Sequence, residues 1–223
     1  DHIIAISEST KNDIQHFFKV PDNKISVIYH GHKNDLSPSK DNYEPPFSNY
    51  ILYVGERSGY KNFNLFIAGI APLLKNRHEI SLVCLGGGVL GYSEKELFYR
   101  YGINTEQVHQ LSVTDNQLKA FYKKALLFVY PSLYEGFGLP LLEAFANNCP
   151  IATSNTSCFP EVGGDAVVYF DPNDPDDIRN TIESVISNPV LGDQLRLLGT
   201  KQLKKFSMDS CMAKTKNVYK TLL

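Results

Sequence analysis

The chain has 223 residues, of which 22 are Lys or Arg and 24 are Asp or Glu, so its net charge is −2. A hydrophobic content of 43% is ordinary for a water-soluble globular protein, and a chain of this length can form a stable core without a disulfide or a bound metal. No run of Lys and Arg exceeds two residues, which argues against a dedicated surface for nucleic acid or anionic membrane.

The four cysteines lie far apart, and no two of them have C-x-x-C spacing. Two are in or beside apolar runs, so we expect buried free thiols in a reducing cytosol rather than disulfides. No stretch approaches the roughly 18 uninterrupted apolar residues of a membrane-spanning helix. The chain begins at Asp1 and enters a strand-like run at once. We interpret it as a fragment or processed chain whose N-terminal part is missing.

The first part of the chain predicts a strand, a helix and a second strand at residues 3–6, 8–18 and 25–29. Apolar residues at helical spacing, with Ser7 placed as the cap, support the helix. The following segment is rich in Ser, Asp, Asn, Lys and Pro and has no periodicity, which is typical of a linker. We therefore divide the chain into an N-terminal piece at residues 1–35, a linker at residues 36–47 and a larger domain from residue 48.

From residue 48 onward, short apolar strands alternate with helices. The expected strands are residues 50–54, 80–85, 108–111, 126–130, 150–153 and 166–170. The expected helices are residues 62–75, 94–101, 115–124 with Asp115 as the cap, one that opens at Pro140, then 174–187, 190–206 and 207–222. This alternation predicts an α/β fold with a doubly wound, Rossmann-like parallel sheet covered on both faces. The domain should end near residue 206, followed by a separate last helix in residues 207–223.

Ligands bind such sheets at the carboxyl ends of the strands, and three motifs follow predicted strands. The first begins at Gly55 and places Arg57 and Lys61 ahead of a helix. Arg offers a planar fork for phosphate oxygens, and Lys offers a mobile point charge. The alternative to a phosphate site is that Arg57 and Lys61 are ordinary surface cations in contact with solvent. Cations at a helix start oppose the helix dipole, however, so an anionic partner would account for them.

The second motif, Gly-Gly-Gly-Val-Leu-Gly at residues 86–91, matches the G-x-G-x-x-G pattern of dinucleotide-binding sites. The acidic residue that such a site needs about 20 residues later is absent from the strand at residues 108–111. We therefore expect a loop that approaches a nucleotide closely, and not a nicotinamide site.

The third motif runs from the strand at residues 126–130 through a turn into a helix. Proline at a first helical position needs no N–H, so the amides of Gly138 and Leu139 would face outward as an anion site. Glu135 and Glu143 bracket this helix start with seven residues between them. The structural alternative is that Glu135 is an ordinary turn residue and that Glu143 interacts favourably with the helix dipole. Glu143 lies in an otherwise apolar run, however, and a buried carboxylate needs a partner.

Two further groups of ligand-type residues have structural interpretations. The acidic run at residues 171–177 is explained by Asp174 capping a helix with Pro175 at its first position. His30 and His32 form a poor metal site because no third ligand is in view. The sequence therefore predicts no metal site.

Together these motifs resemble the retaining glycosyltransferases of the GT-B fold, in particular family 4. The spacing of Glu135 and Glu143 is similar to that family's Glu-x7-Glu element, and Gly55, Arg57 and Lys61 resemble its phosphate clamp. The run Pro-Glu-Val-Gly-Gly at residues 160–164 also resembles a recurrent stretch of the family. The resemblance spans nearly the whole chain. It implies the C-terminal, donor-binding half of a two-domain enzyme, with residues 1–35 as a remnant of the acceptor-binding half.

The resemblance also implies catalytic roles. Arg57 and Lys61 would neutralise the diphosphate of a nucleotide-sugar as its glycosidic bond breaks. Glu135, with the amides of Phe137 and Gly138, would hold the donor sugar.

Further donor-binding roles follow from the same resemblance. The Gly138 and Leu139 amides would contribute to the phosphate site, and Glu143 would accept hydrogen bonds from the ribose hydroxyls. Backbone groups between Leu111 and Val113 would hold the base. Members of the family need no metal.

The pattern Gly-x-Arg-x-x-Tyr-Lys-Asn at residues 55–62 resembles O-antigen and capsule mannosyltransferases, which favours GDP-mannose over a UDP-sugar as the donor. The acceptor would be a glycan or a lipid-linked acceptor. We expect the enzyme to need no cofactor and to bind no nucleic acid. The enzyme would be cytoplasmic, with peripheral association at the inner face of a bacterial membrane. Two alternatives stay open. One is a nucleotide-sugar epimerase of the same fold, and the other is a binding module that is inactive without its N-terminal domain.

Overall fold

The computed structural model describes residues 1–32 and 43–222. Within these residues the strands are β1 (Ile3–Ala5), β2 (Ile25–Val27), β3 (Tyr50–Val54), β4 (Ser81–Leu85), β5 (Val108–Leu111), β6 (Leu127–Tyr130), β7 (Ile151–Ser154) and β8 (Val168–Phe170). The α-helices are α1 (Glu8–Phe18), α2 (Phe63–Asn76), α3 (Tyr92–Arg100), α4 (Asp115–Lys124), α5 (Leu139–Ala146), α6 (Phe159–Gly163), α7 (Pro175–Ile186), α8 (Pro189–Leu203) and α9 (Met208–Leu222). Residues 36–42 of the predicted linker, and residues 33–35 of the predicted N-terminal piece, lie outside the described residues.

The strands form two parallel sheets. β1 and β2 pair in parallel, and α1 connects them as a small β-α-β unit. The other strands form a six-stranded parallel sheet in the order β5-β4-β3-β6-β7-β8. The chain builds outward from β3 through β4 to β5 and then returns to add β6 on the other side of β3. This is a doubly wound order, so the fold class predicted from the sequence is confirmed.

Both faces of the larger sheet are covered by helices. Along β3, Ile51 and Tyr53 face one core cluster with α2, α3 and α7, whereas Tyr50 and Leu52 face another with α4, α5 and α6. Successive strand residues point to opposite faces, so a strand buried on both sides must be apolar throughout. That requirement explains why these strands could be recognised as continuous apolar runs.

The helix ends show where local rules succeeded and where they failed. Asp174 caps α7 as predicted, since its carboxylate accepts from the backbone amides of Asp176 and Asp177. The cap of α4 is Thr114, so the prediction of Asp115 was wrong by one residue. The short helix α6 was not predicted, because its five residues are too few to show a helical periodicity.

The cysteines are free, as predicted. Cys84, Cys149 and Cys158 are buried, and Cys211 is partly exposed. Burial raises the pKa of the Cys84 and Cys149 thiols to about 12, so both are protonated and unreactive at neutral pH.

The segment after β2 lies directly against the start of α9. The His32 amide donates to the Phe206 carbonyl at 2.8 Å, and His32 also forms a parallel β-bridge with Ser207. A Cβ atom added to Gly31 would lie 2.3 Å from the Met208 Cα. Glycine at position 31 is therefore what allows the two backbones to touch.

Replacing this glycine should weaken the contact. We expect Gly31→Ala to lower the free energy of unfolding by about 1–3 kcal/mol, because the added methyl must displace backbone rather than a flexible side chain. Urea unfolding followed by circular dichroism measures the change. Gly192→Ala in α8 is the control, since its new Cβ would meet only the Arg196 guanidinium at 3.4 Å. An equal loss in both variants would contradict the prediction.

Candidate functional site

The carboxyl ends of the central strands are aligned by hydrogen bonds between their last residues. The Gly55 amide donates to the Leu85 carbonyl at 2.9 Å, and the Gly86 amide donates to the Leu111 carbonyl at 3.2 Å. These bonds bring the loops after β3, β4 and β5 to one edge of the sheet. The strand order reverses between β3 and β6, and in doubly wound folds the ligand crevice opens at that edge between such strands.

The turn from β6 into α5 leaves the start of that helix without a side-chain cap. Gly138 precedes the helix with φ of 85°, a left-handed conformation that favours glycine. Pro140 occupies the second helical position, so the prediction that the helix opens there was one residue late. Leu139 is 48% exposed. The positive end of the α5 dipole therefore lies close to solvent at the crevice.

Lys61 and Glu135 form an ion pair across the crevice. The Lys61 Nζ lies 2.7 Å from the Glu135 Oε1, and the two side chains are only 16% and 13% exposed. The ammonium also lies 5.5 Å from the centre of the Tyr130 ring. A backbone bond from the Leu133 amide to the Tyr60 carbonyl, at 2.8 Å, holds the two loops together. Both residues were predicted to belong to the site, and the structure brings this cation and this carboxylate into direct contact.

The Arg57 side chain is directed into the loop after β4. Its Nε forms an ion pair with Glu94 in α3. Its Nη1 donates to the Gly86 carbonyl at 2.7 Å, and its Nη2 donates to the Gly88 carbonyl at 2.7 Å. All three guanidinium nitrogens therefore bond within the chain, and the side chain is almost wholly buried. The loop at residues 86–88 thus serves as the acceptor for this arginine.

The main chain of Glu135 is held by Ser157, which the sequence did not single out. The Ser157 hydroxyl donates to the Glu135 carbonyl at 2.6 Å and accepts from the Glu135 amide at 3.2 Å. Next to it, the Thr156 hydroxyl donates to the Leu133 carbonyl at 2.9 Å. Ser157 has φ of 55°, a conformation that costs a non-glycine residue about 1–2 kcal/mol. Its position directly after β7, at the ligand-binding edge, was the signal that could have drawn attention to it.

Helix α1 packs against the same turn from the other side. The Ser7 hydroxyl donates to the Gly136 carbonyl at 2.6 Å. The Glu161 carboxylate accepts from the backbone amides of Glu8 and Ser9, at 2.9 and 3.1 Å, and so caps α1 from α6. The Tyr29 hydroxyl donates to it as well, and burial together with this carboxylate raises the pKa of Tyr29 to about 12. Glu161 therefore has a structural role in docking α1.

Phe137 lies in an aromatic cluster beneath the turn. Its ring centre is 5.9 Å from that of Tyr29 and 5.7 Å from that of Phe206, and the His30 ring meets it edge-on at 5.2 Å. The side chain is buried. Phe137 can therefore reach a ligand only through its backbone.

Glu143 lines a separate pocket beside the start of α5. The pocket has a volume of about 300 Å³ and is lined by His32, Asp115, Leu118, Lys119, Tyr122, Leu139, Leu142, Glu143 and Asn147. This volume is at the lower end of the range for small-molecule sites. The Tyr122 hydroxyl donates to the Glu143 Oε2 at 3.1 Å. Burial raises the pKa of Glu143, whereas this hydrogen bond opposes the change.

The remaining predicted residues lie further along the edge. Leu111 ends β5, and Leu111 and Val113 are partly buried against the core. The strand order puts them two strands away from β3. Across the described parts of the chain, His, Cys, Asp and Glu side chains form no group of three or more that could hold a metal ion. None of the helices in those parts combines the length and apolar character needed to cross a membrane.

A comparison with protein families identifies the chain. The model described as "Glycosyl transferases group 1" matches residues 37–202, which is well over half of the sequence. The chain belongs to the group 1 glycosyl transferases. Its membership agrees with the family resemblance that the motifs predicted.

Curated relatives of this group 1 glycosyl transferase include enzymes of O-antigen synthesis. It is 30% identical to O-antigen chain mannosyltransferase B of Escherichia coli, over 99% of this chain and 60% of that protein. It is also 30% identical to O-antigen chain mannosyltransferase RfbU of Salmonella typhimurium, over 84% of this chain and 52% of that protein. The chain therefore spans between about half and 60% of the length of these relatives.

Solved glycosyltransferases share the fold. A glycosyltransferase from Rickettsia africae superposes with a TM-score of 0.82 at 16% identity, over 99% of this chain and 63% of that one. WaaG, a glycosyltransferase involved in lipopolysaccharide biosynthesis, gives a TM-score of 0.81 at 17% identity, over 96% of this chain and 61% of that one. At these identities the likeness concerns the fold alone, and it confirms the expected GT-B type of α/β domain.

Ser157 offers a test of how firmly the turn of this glycosyl transferase is held. Ser157→Gly removes both hydrogen bonds to the Glu135 peptide but relieves the left-handed strain. Lys19→Gly is the matched control, since exposed Lys19 also has φ of 55° and its amide bond to Gln15 survives the change. We expect Lys19→Gly to raise the free energy of unfolding by about 1 kcal/mol. For Ser157→Gly the change should be less favourable than this by about 1–3 kcal/mol, because the two hydrogen bonds are lost. Equal gains in urea unfolding would show that the Ser157 bonds contribute nothing.

Burial of Glu143 predicts a pH dependence of stability. Because its pKa is raised in the folded state, Glu143 favours folding at acid pH, and this contribution is lost as the pH rises through the folded-state pKa. Glu143→Gln keeps an acceptor for Tyr122 but cannot titrate. The stability of this variant relative to the parent should therefore be higher at pH 7 than at pH 4. Urea unfolding at both pH values measures it, with exposed Glu106→Gln as a control for the lost charge, and a constant difference would contradict the prediction.

Proposed function

We propose that this chain is the donor-binding half of a retaining glycosyltransferase, which transfers a hexose from a nucleoside-diphosphate sugar to a glycan or lipid-linked acceptor. The observation that carries the proposal is the meeting of Lys61, Glu135 and the uncapped start of α5 where the strand order reverses. A cation and free amides suit a diphosphate, and a carboxylate beside them suits the hydroxyls of a sugar.

The proposed reaction requires stabilisation of a leaving diphosphate. As the bond between the anomeric carbon and the diphosphate oxygen breaks, negative charge grows on the diphosphate. Lys61 and the amides of Gly138 and Leu139 would stabilise that charge, and preorganised donors of this kind contribute about 10²–10³ each in rate. Glu135 would exchange its bond to Lys61 for bonds to the sugar. Arg57 can contribute only if its guanidinium exchanges its present acceptors for phosphate oxygens.

The nucleoside would extend from the diphosphate along α5. Glu143 follows Leu139 by one helical turn, about 6 Å along the axis, and would accept from the ribose hydroxyls in its pocket. The base would lie toward the ends of β4 and β5, near Leu111 and Val113. This placement uses the whole carboxyl edge from β5 to β6.

We further propose mannose as the donor sugar, with GDP-mannose ahead of a UDP-sugar. The support is the likeness to proteins named as O-antigen chain mannosyltransferases. The proposal includes a cytoplasmic enzyme at the inner face of a membrane, where a lipid-linked acceptor would be presented. Residues 1–223 alone should bind the donor without transferring its sugar, because the acceptor would bind to the other domain, across the cleft between the two.

Calorimetric titration of the chain with GDP, UDP and GDP-mannose tests the proposal. We expect saturable binding of one nucleoside diphosphate, and tighter or equal binding of the matching nucleotide-sugar. Binding of neither GDP nor UDP would refute a donor-binding site. Analysis of the anomeric configuration of the product by NMR, in a chain that includes the acceptor half, tests retention.

The two glutamates should respond differently to truncation. In a chain that includes the acceptor half, we expect Glu135→Ala to reduce transfer by about 10²–10³ with little change in nucleotide affinity, because its partner is the reacting sugar. Glu143→Ala should weaken nucleotide binding about tenfold or more, because its partner is the ribose. Steady-state kinetics and calorimetry measure the two effects, with Glu106→Ala as the control. Parent-like behaviour of both variants would leave only structural roles for these residues.

A further inference from the structure

Tyr122 is a buried tyrosine whose hydroxyl reaches the Glu143 pocket. Its side chain is wholly buried on α4, and its ring packs edge-on against Phe128 with the centres 5.2 Å apart and the planes at 89°. From this fixed position the hydroxyl lies 3.1 Å from the Glu143 Oε2. The carboxylate is thus held by a group that packing keeps in a single place.

The direction of this hydrogen bond is set by its surroundings. Burial and the nearby Glu143 carboxylate raise the pKa of Tyr122 well above its ordinary value, so the hydroxyl keeps its proton and donates it. A carboxylate has about four lone-pair sites, and Tyr122 uses one of them. The other sites can accept from donors in the pocket. His32, Asp115 and Lys119 line the same pocket.

We propose that Tyr122 is a positioning residue that orients the Glu143 carboxylate toward the vicinal hydroxyls of a ribose. The inference rests on the proposed function, since it assigns a ribose to the Glu143 pocket. Tyr122 itself would not touch the nucleotide. It would act by fixing one carboxylate oxygen, so that the carboxylate presents its free lone pairs to both ribose hydroxyls at once.

A comparison of ribonucleotide and deoxyribonucleotide binding separates this role from simple packing. Parent chain and Tyr122→Phe are titrated calorimetrically with GDP, 2′-deoxy-GDP and 3′-deoxy-GDP, or with the uridine set if UDP is the nucleotide that binds. The parent should prefer the ribonucleotide to each deoxy form by about fivefold to tenfold. In Tyr122→Phe the affinity for the ribonucleotide should fall by a similar factor, and the preference should approach one.

Tyr50→Phe is the matched control. Tyr50 is also wholly buried, and its hydroxyl donates to a carbonyl of the same helix, that of Phe121, at 2.7 Å. It does not line the pocket. This variant should lose stability yet keep the full preference for ribose, since it leaves Glu143 and its partner intact.

The possible results distinguish the inference from the proposed function. An undiminished ribose preference in folded Tyr122→Phe would overturn the inference while leaving the nucleotide site in place. A parent chain that binds ribose and deoxyribose forms equally would overturn the role of Glu143, and the inference with it. Should Tyr122→Phe fail to fold, Glu143→Asp replaces it, because the shorter side chain cannot reach both Tyr122 and the ribose. An undiminished preference in Glu143→Asp would likewise overturn the inference.

Discussion

The parallel pairing of β3 with β6 is the contact on which the candidate site depends. Ile51 pairs with Leu127, and Leu52 pairs with Phe128, although long stretches of chain separate them. The helices that follow these two strands cover opposite faces of the sheet, so the loops leaving β3 and β6 diverge and open a crevice. The loop after β3 carries Lys61, and the turn after β6 carries Glu135. Their 2.7 Å contact exists only because this pairing makes the two strands neighbours.

Features set by local pattern could be predicted from the sequence, and features set by distant contacts could not. Strands buried on both faces had to be apolar runs, and Asp174 capped α7 as expected because the cap and its amides are adjacent in sequence. The internal partners of Arg57 depend on how α3 packs, which no spacing in the sequence reveals. The left-handed backbone of Ser157 was equally hidden, because glycine is the residue that marks such a conformation in a sequence.

The two glutamates of the α5 region occupy different surroundings, although they are close in sequence. Glu135 faces a cation, and its own peptide is fixed by Ser157. Glu143 faces a neutral phenol, and burial raises its pKa. An acid beside a fixed positive charge suits a place where charge changes during a reaction, whereas a desolvated acid with one neutral donor suits recognition of hydroxyl groups. The structure thus gives a physical reason why the two acids would have separate tasks.

The docking of α1 against the turn after β6 links two parts of the chain thermodynamically. The Ser7 hydroxyl donates to the Gly136 carbonyl in the turn, and the Glu161 carboxylate accepts from the first amides of α1. Suppose that a ligand binds the turn only when α1 is docked. The free energy by which docking strengthens ligand binding then equals the free energy by which the ligand stabilises docking. Occupancy of the crevice and the seating of α1 would then rise and fall together. The amide protons of α1 would report on a nucleotide-sugar that never touches them.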